Sequence, residues 1–392
     1  MFLHQPENCM SATALDLCRA LVQCPSVTPN DGGALGVLAT ALQRAGFETR
    51  KLRFSEPGTP DIDNLYARLG TKPPFLVFAG HTDVVPVGEP ANWRFDPFAA
   101  EVAEGAIWGR GVADMKGGVA AFAAAACAFA ARHGSSKGSI GFLITGDEEG
   151  PAINGTDKLL RWAFEQGERF DHCLVGEPTN VERLGDVIKI GRRGSLSGTL
   201  SAQGRQGHVA YPERADNPIP KLMRLLDVLI SAPLDKGTPH FDASNLEIVS
   251  VDVDNPAFNV IPAQATARLN VRFNDIWTPQ SLEAELRRRL DSVAQGTRYA
   301  LSFEPCNALA FLTDPDAFTK LVAGAIEKHT GRAPKLSTSG GTSDARFIRA
   351  YCPVVEFGLV GATMHMVDEH VAIKDLEALT AIYAAILDDY FG

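Results

Sequence analysis

The sequence predicts an α/β fold, in which a mixed, largely parallel sheet is flanked by helices and a smaller α+β module is inserted. Three observations predict it. Apolar runs suited to buried strands alternate with helical patterns through the first half of the chain. Each of these runs is followed by polar residues. Between about Ser195 and Glu304 the alternation gives way to a different order of predicted elements.

The larger fold is predicted from its helices and strands in turn. Helical patterns cover Ala14 to Val22 and Ala34 to Ala45, and Gly46 ends the second. The runs "PFLVFAG", "SIGFLIT", "DHCLVG" and "PVVEFG" are typical of strands buried on both faces. The stretch "GGVAAFAAAACAFAA", residues 117–131, is too short and too rich in Ala for a membrane span, so we predict a buried helix.

The inserted module has the order β-α-β-β-α-β, which is the ferredoxin-like arrangement. Its strands are "SLSGTLSA", "LEIVSVDV", "ATARLNVRF" and "RYALSFE". Its helices run from Ile219 to Ile230 and from Pro279 to Ala294. We therefore predict a discontinuous larger domain, 1–193 with 306–392, and an inserted domain, 194–305.

Composition limits the function classes. The chain has 392 residues and a formal net charge of -10, which argues against nucleic-acid binding. The N-terminal "MFLHQPENCM" has neither the basic nor the apolar region of a signal peptide. Seven scattered cysteines without a C-x-x-C motif indicate reduced thiols. These features predict a cytoplasmic protein that binds neither nucleic acid nor membrane.

Polar residues at four strand ends point to a functional site. His81 follows the first run, Asp147, Glu148 and Glu149 the second, Glu177 the third, and a loop reaching His365 the fourth. In open α/β sheets ligands bind beyond the carboxyl ends of the strands, so these side chains should gather at one edge. An isolated acidic triplet is more often a solvated turn. Imidazoles and carboxylates delivered together favour a site for zinc or a similar ion.

Two further aspartates extend this hypothesis. Asp83 lies two residues after His81, where its carboxylate can accept the second imidazole N–H and fix the tautomer. Asp114 lies in the glycine-rich "GRGVADMKGG", at the position where a dinucleotide-binding loop needs its third glycine. A carboxylate there would repel a pyrophosphate, but it can offer its two oxygens to two cations.

Glu148 and Glu149 should point in different directions because they are adjacent at a strand end. One can bind metal while the other acts as general base on a water whose pKa the metal lowers. A rival motif, "GSSKG" around Ser136, matches the serine-hydrolase pattern G-x-S-x-G. That pattern requires a strand before the serine and a helix after it, whereas here the predicted order is reversed.

The motifs together resemble the M20 family of dinuclear-metal amidohydrolases and peptidases. They are "GHTDVVPVG", "GRGVADMKGG", "TGDEEG", "GEPT", "GRRGSLSG", "GHVAYPERADNPI", "NVIP" and "GGTSDARF", in that order. The resemblance extends from about His81 to His370. It implies the fold of zinc exopeptidases with an inserted lid and dimerisation domain.

The resemblance also implies roles for individual residues. His81, Asp114 and Glu177 would hold one Zn²⁺, and Asp114, Glu149 and His365 the other, with Co²⁺ or Mn²⁺ as alternatives. Glu148 would be the general base, and Asp83 would orient His81. The peptide bond from Asp114 to Met115 would be cis. His208 would reach the active site of a partner subunit in a homodimer and stabilise the oxyanion.

The later motifs resemble family members that remove a succinyl group, which implies hydrolysis of N-succinyl-LL-2,6-diaminopimelate. An anionic N-acyl amino acid suits arginine recognition. The implied binding residues are Arg192, Ser195, Tyr211, Asn259, Arg272 and Thr342, whereas we expect Arg193 and Arg205 to be surface residues. The alternatives are an acetylornithine deacetylase or another N-acyl amino acid hydrolase, and a catalytically silent binding protein.

Overall fold

The computed structural model of the chain describes residues 13–392. Cys9 and the N-terminal stretch tested for a signal peptide lie outside these residues. The chain forms two compact units. The larger contains the residues up to Ile190, Thr313–Leu336 and Ser343–Gly392, and the smaller contains Gly191–Leu312 and Ser337–Thr342. Arg192 and Thr342, which the sequence prediction places in the larger domain, belong to the smaller unit.

The larger unit is built around an eight-stranded mixed sheet. Its first stretch contains α1 (Ala14–Val22), α2 (Ala34–Arg44), β1 (Glu48–Phe54), β2 (Ile62–Leu69), β3 (Phe75–His81), β4 (Glu101–Ala103), β5 (Ala106–Trp108), α3 (Gly117–His133), β6 (Ser139–Thr145), α4 (Thr156–Glu165), β7 (His172–Val175) and β8 (Val187–Lys189).

The smaller unit follows in the chain, and the larger unit then resumes. The smaller unit contains β9 (Gly191–Arg192), β10 (Gly194–Gln203), β11 (Gly207–His208), α5 (Pro218–Ile230), β12 (Asn245–Asp252), β13 (Val260–Ile261), β14 (Gln264–Phe273), α6 (Pro279–Ala294), β15 (Tyr299–Phe303) and β16 (Phe311–Leu312). The last stretch of the chain contains α7 (Ala317–Thr330), β17 (Lys335–Ser337), α8 (Ala345–Ile348), β18 (Val354–Glu356), β19 (His370–Ala372) and α9 (Ile373–Phe391).

The four strands predicted from apolar runs are neighbours at the centre of the large sheet. The order is β1-β2-β6-β3-β7-β18-β8-β17, and β6, β3, β7 and β18 pair in parallel. Strand β2 pairs with β6 in the antiparallel sense, which makes the sheet mixed. All seven residues of β6 are buried, as a strand covered on both faces requires. The predicted fold class is confirmed.

Helix α3 is the predicted Ala-rich buried helix. By length and composition the stretch Val112–His133 could cross a membrane, but 89% of its most apolar window is buried within the protein. It packs against α1 and α9. The small Ala side chains allow this close packing, so the apolar stretch is explained by its place in the core.

The smaller unit has a four-stranded antiparallel sheet in the order β12-β14-β10-β15. This is the strand order of a ferredoxin-like module, as the sequence predicts. Helices α5 and α6 pack on one another, and α5 packs on the sheet. The core between them is rich in leucine, with Leu222, Leu229, Leu282, Leu286 and Phe273 among its buried members.

Candidate metal centre

Four neighbouring parallel strands deliver the predicted ligands to one edge of the large sheet. His81 is the last residue of β3, and Glu177 comes two residues after β7 ends. Glu148 and Glu149 follow the end of β6, and His365 lies in the loop after β18. Because parallel strands end at the same edge, residues far apart in sequence meet there.

Asp114 lies between the two histidines. His81 Nε2 is 3.1 Å from Asp114 Oδ1, and His365 Nε2 is 3.3 Å from Asp114 Oδ2. His365 Nε2 also lies 2.7 Å from Glu149 Oε1, and His81 Nε2 lies 3.8 Å from Glu177 Oε1. Each oxygen of Asp114 therefore faces a different histidine, an arrangement compatible with the bridging role that the family resemblance implies.

The donor set fits divalent metal ions. Ligand atoms lie within 4.8 Å of one another in two groups, His81 with Asp114 and Glu149, and His81 with Glu148 and Glu177. Two imidazoles among four carboxylates form the mixed nitrogen and oxygen environment that zinc and similar ions prefer. By distance, Glu148 is one of the candidate metal ligands. The family resemblance instead implies that Glu148 is the general base.

The backbone of the Asp114 turn and the start of α3 allow the candidate ligands to come close together. Asp114 lies in a kinked turn, Val112–Lys116, and the peptide bond from Asp114 to Met115 is cis. The start of α3 approaches the end of β7 closely, because a Cβ at Gly118 would lie 2.5 Å from the carbonyl oxygen of Gly176. No other residue type fits this approach without a shift of the backbone.

The structure corrects the predicted contact of Asp83. His81 Nδ1 lies 2.8 Å from the main-chain carbonyl oxygen of Asp83, whereas the nearer carboxylate oxygen is 3.7 Å away. The carboxylate instead accepts hydrogen bonds from the backbone N–H groups of Glu148, at 3.3 Å, and Glu149, at 3.0 Å. The Asp83 side chain therefore binds these two N–H groups, and the main-chain carbonyl of Asp83 orients the His81 imidazole.

Without metal, the surroundings of the cluster raise the pKa values of several of its side chains, which then hold protons at the positions where cations would bind. Burial, and then the charge of Glu177, raises the pKa of Glu148 well above its usual value. Hydrogen bonds to Asp114 and Glu149 raise the pKa of His365 to about 10. Burial opposes charge on Asp114, but its hydrogen bonds to His365 and His81 outweigh burial and lower its pKa.

His81 behaves in the same way. Burial disfavours its charged form, yet the hydrogen bond to Asp114 and the charge of Glu148 raise its pKa well above the usual value. Burial also raises the pKa of Asp83 to about 7. In the absence of metal, protonated imidazoles and protonated carboxyls thus relieve the repulsion among packed carboxylates.

The predicted substrate-binding residues all lie in the smaller unit. Arg192 is buried and its Nη1 donates to the carbonyl oxygen of Gly341, next to Thr342. Ser195 on β10 lies opposite Arg272 on β14. Arg193, expected from the sequence to be a surface residue, is half-buried and donates to Asn245. Burial, and then the charge of Arg193, lowers the pKa of Arg272.

Three predicted residues cluster around the short β11–β13 ladder of the same unit. His208 pairs with Val260, and the adjacent Asn259 accepts from the N–H of Val209 through its main-chain oxygen. The rings of His208 and Tyr211 are 5.8 Å apart. His208 Nδ1 accepts from the N–H of Ala210 at 3.1 Å, which leaves the proton of the neutral imidazole on Nε2. His208, Tyr211 and Asn259 are exposed in the single chain.

The serine-hydrolase alternative is wrong. Ser136 lies in the exposed turn between α3 and β6, so a helix precedes it and a strand follows it. Its hydroxyl donates to the carbonyl oxygen of His133. The strand-to-helix elbow that exposes a nucleophilic serine is therefore not formed here.

Sequence reasoning missed a buried ion pair beside the cluster, formed by Arg110 and Glu369 at 2.8 Å. Arg110 precedes Asp114 by four residues, and Glu369 follows His365 by four. In the sequence, Glu369 lies in a polar "VDEH" run that is typical of a surface turn. Only the fold shows that its side chain is fully buried.

Comparison with known proteins places the chain in a family. Residues 77–389 match the profile of peptidase family M20/M25/M40. A protein of Beijerinckia indica subsp. indica named succinyl-diaminopimelate desuccinylase is 70% identical over 97% of this chain and 100% of its own length. A protein of the same name from Methylocella silvestris is 68% identical over 97% of this chain and 99% of its own length.

Solved structures show the same fold at low sequence identity. An M20 family metallo-carboxypeptidase from Sulfolobus solfataricus superposes with a TM-score of 0.77 at 16% identity, over 96% of this chain and 99% of the other. Human carnosine dipeptidase 1 gives a TM-score of 0.75 at 20% identity, over 96% of each chain. On the strength of the profile match and the full-length relatives, the chain belongs to peptidase family M20/M25/M40.

Proposed function

We propose that the protein is a metal-dependent amidohydrolase that cleaves N-succinyl-LL-2,6-diaminopimelate to succinate and LL-2,6-diaminopimelate. The observation that carries the proposal is the convergence of two imidazoles and four carboxylates at one sheet edge, with Asp114 between the imidazoles. Full-length relatives at 70% and 68% identity that are named for this reaction support the choice of substrate.

The proposed cofactor is a pair of Zn²⁺ ions, with Co²⁺ or Mn²⁺ as alternatives at either position. His81, Asp114 and Glu177 would hold one ion, and Asp114, Glu149 and His365 the other. When bound, such ions lower the pKa of a coordinated water towards about 7 and polarise a carbonyl oxygen.

Glu148 is the proposed general base. Its carboxylate takes a proton from the attacking water and returns it to the amide nitrogen as the C–N bond breaks. The water oxygen joins the succinyl carbonyl carbon, so the products are a carboxylate and a free amine. Asp83 supports this role by holding the backbone N–H groups of Glu148 and Glu149.

His208 is the proposed oxyanion donor, acting in the active site of the partner subunit of a homodimer. The N–H of Ala210 occupies Nδ1, so Nε2–H is the group left to donate to a developing negative charge. The exposure of His208, Tyr211 and Asn259 supports a function completed by a second copy of the chain.

The substrate carries several carboxylates, and arginines of the smaller unit are proposed to bind them. Arg272 and Arg193 are half-buried cations close enough for the charge of Arg193 to lower the pKa of Arg272. A substrate carboxylate beside them would relieve this repulsion and could be held in bidentate fashion. Arg192 with Thr342, and Ser195, Tyr211 and Asn259, are proposed to complete the recognition.

A cytoplasmic location is proposed from the cysteines. The six that lie within residues 13–392 are free, and five of them are buried. Reduced thiols of this kind are typical of a reducing compartment.

The test combines metal analysis with an activity assay on the full chain. We expect about two metal ions per chain, activity on N-succinyl-LL-2,6-diaminopimelate, loss of activity after chelation, and recovery after Zn²⁺ is restored. N-acetylornithine serves as the matched substrate. Faster cleavage of N-acetylornithine would assign the chain to deacetylation, and metal binding without turnover of either compound would refute the enzymatic proposal.

A further inference from the structure

Glu369 accepts hydrogen bonds from four donors beside the candidate metal centre. Its Oε2 accepts from Arg110 Nη1 at 2.8 Å and from the N–H of Gly111 at 2.9 Å. Its Oε1 accepts from the N–H groups of Ala113, at 2.8 Å, and Asp114, at 3.3 Å. The carboxylate thus fixes the backbone of the turn that carries Asp114.

Arg110 connects the same carboxylate to the segments that carry the two histidines. It is 2% exposed, and its Nη1 also donates to the carbonyl oxygen of Met366, the residue after His365, at 3.1 Å. Its Nη2 donates to the carbonyl oxygen of Pro86, in the segment that follows His81, at 3.4 Å. The guanidinium carbon lies 5.0 Å from the centre of the Trp93 ring, which holds it in place.

The loop that carries His365 needs such support. His365 and Asp368 have positive φ angles of 62° and 61°, in a region that non-glycine residues adopt at a cost. Thr363 closes the loop by donating its hydroxyl to the carbonyl oxygen of His370. At its end, Glu369 anchors the loop to the Asp114 turn.

We propose that the Arg110–Glu369 pair is a positioning element for the metal centre, which holds Asp114 between His81 and His365 before metal binds. Neither residue is among the candidate ligands, so their effect passes through the backbone of the Asp114 turn and the His365 loop. Partners of this kind orient metal ligands and tune metal affinity. The inference rests on the proposed metal centre.

The substitution Glu369→Gln tests this positioning role at nearly constant side-chain volume. Because all four partners of Glu369 are donors, the amide nitrogen of glutamine would face at least one N–H group without an acceptor. We expect the apparent Kd for Zn²⁺ to rise by about 10- to 100-fold. The Kd is measured on the chelator-stripped full chain by competition with a chromophoric chelator, together with the thermal midpoint of the stripped protein.

Asp235→Asn is the matched control. In the smaller unit, Asp235 likewise accepts only from donors, namely the N–H groups of Gly237 and Ser244, Asn274 Nδ2 and Trp277 Nε1. We expect this variant to lower the thermal midpoint and leave the Kd for Zn²⁺ unchanged. A lower midpoint alone therefore reports lost stability, whereas a higher Kd reports lost positioning.

Arg110→Lys carries the same test if Glu369→Gln yields no folded protein. Lysine keeps the positive charge beside Glu369. Its single nitrogen cannot bind Glu369 and the carbonyl oxygens of Met366 and Pro86 together, as arginine does. We therefore expect the Kd for Zn²⁺ to rise about 3- to 10-fold. A Kd unchanged in the folded variants, with the midpoint lowered as in the control, would overturn the positioning role alone. A wild-type chain that binds no Zn²⁺ would overturn the metal centre as well.

Discussion

Glu148 and Glu149 have the same side chain and adjacent positions, yet their surroundings differ. Glu149 Oε1 contacts His365, whereas Glu148 is grouped with His81 and Glu177. The two backbone N–H groups are held together by the carboxylate of Asp83. The backbone is thereby fixed while the side chains have different partners, as the proposed division between a metal ligand and a general base requires.

Glu148→Gln is expected to keep metal and lose turnover. The amide retains the shape of the side chain but cannot accept a proton from water, and general-base catalysis contributes about 100- to 10,000-fold. We expect kcat to fall at least about 100-fold, with metal content unchanged in the same preparation. Loss of metal along with activity would make Glu148 a ligand, as its distance from His81 and Glu177 allows.

Glu149→Gln is the matched comparison at the neighbouring position. Because Glu149 contacts His365 and is grouped by distance with His81 and Asp114, we expect this variant to lose metal affinity together with activity. Excess Zn²⁺ should restore part of its activity but none of the activity of Glu148→Gln. Equal recovery of the two variants would show that their roles are not divided in this way.

Arg193 shows how a residue can be misjudged from sequence. An arginine next to a second arginine and a glycine is usually solvated, whereas this one is half-buried and its charge lowers the pKa of Arg272. Two half-buried cations repel unless an anion joins them. The pair therefore suits the succinyl carboxylate of the proposed substrate.

Arg193→Met and Arg272→Met are expected to impair N-succinyl substrates selectively. A hydrogen bond to a charged group contributes about 1.5–3 kcal/mol, which corresponds to roughly a 10- to 150-fold loss in kcat/KM. An N-acetyl analogue lacks the succinyl carboxylate, so its kcat/KM should fall much less in these variants. Arg205→Met, at an exposed position, is the control. Equal losses on both substrates would assign the arginines to another part of the substrate.

At the scale of elements, the edge strand β12 of the smaller unit is a candidate for association. It pairs only with β14 in the four-stranded sheet, and its Val249 and Val251 are 63% and 56% exposed. An exposed apolar edge strand is able to pair with another chain. This surface supports the proposed homodimer, for which the sequence offers only a resemblance.

Val251→Lys is expected to weaken self-association. A lysine on an edge strand disfavours strand pairing by placing a charge where an apolar contact would form. We expect the dimer dissociation constant, measured by sedimentation, to rise at least about tenfold, or about 1.4 kcal/mol. Val181→Lys, at a valine that is 66% exposed in the larger unit, is the control. A dimer of unchanged stability in Val251→Lys would place the interface elsewhere.

For the whole molecule, the sequence predicts elements and ligand types better than contacts. Apolar runs and helix signals place α1 and α6 at their observed bounds, and the strand-end rule gathers His81, Glu149 and Glu177. The buried role of Glu369 follows from no local pattern, because its partners, the Arg110 side chain and three backbone N–H groups, are more than 250 residues away. The predicted contact between the Asp83 carboxylate and His81 is wrong for a similar reason. The spacing of the two residues does not show whether the main-chain oxygen or the carboxylate of Asp83 reaches the imidazole.

The ionisation of the cluster predicts how the stability of the whole metal-free protein depends on pH. The pKa of His365 is about 10 in the folded protein, against an ordinary value of 6.5 for histidine, so the folded state binds a proton more tightly than the unfolded state. The contribution of His365 to the free energy of unfolding is fully present below pH 6.5 and is lost as the pH rises towards 10. His81 acts in the same direction, whereas Asp114, with a lowered pKa, acts only in acid.

We therefore expect the thermal midpoint of the chelator-stripped protein to fall between pH 6.5 and 7.5. One full proton is equivalent to about 1.4 kcal/mol per pH unit, and half-exposed His365 will contribute only a fraction of this because solvent screens it. Saturating Zn²⁺ should raise the midpoint at both pH values, more at pH 7.5, because metal competes with protons for the imidazoles. His365→Gln should flatten the pH dependence of the stripped protein. An equally steep decline in that variant would show that groups other than His365, such as His81 or Asp83, determine the pH dependence.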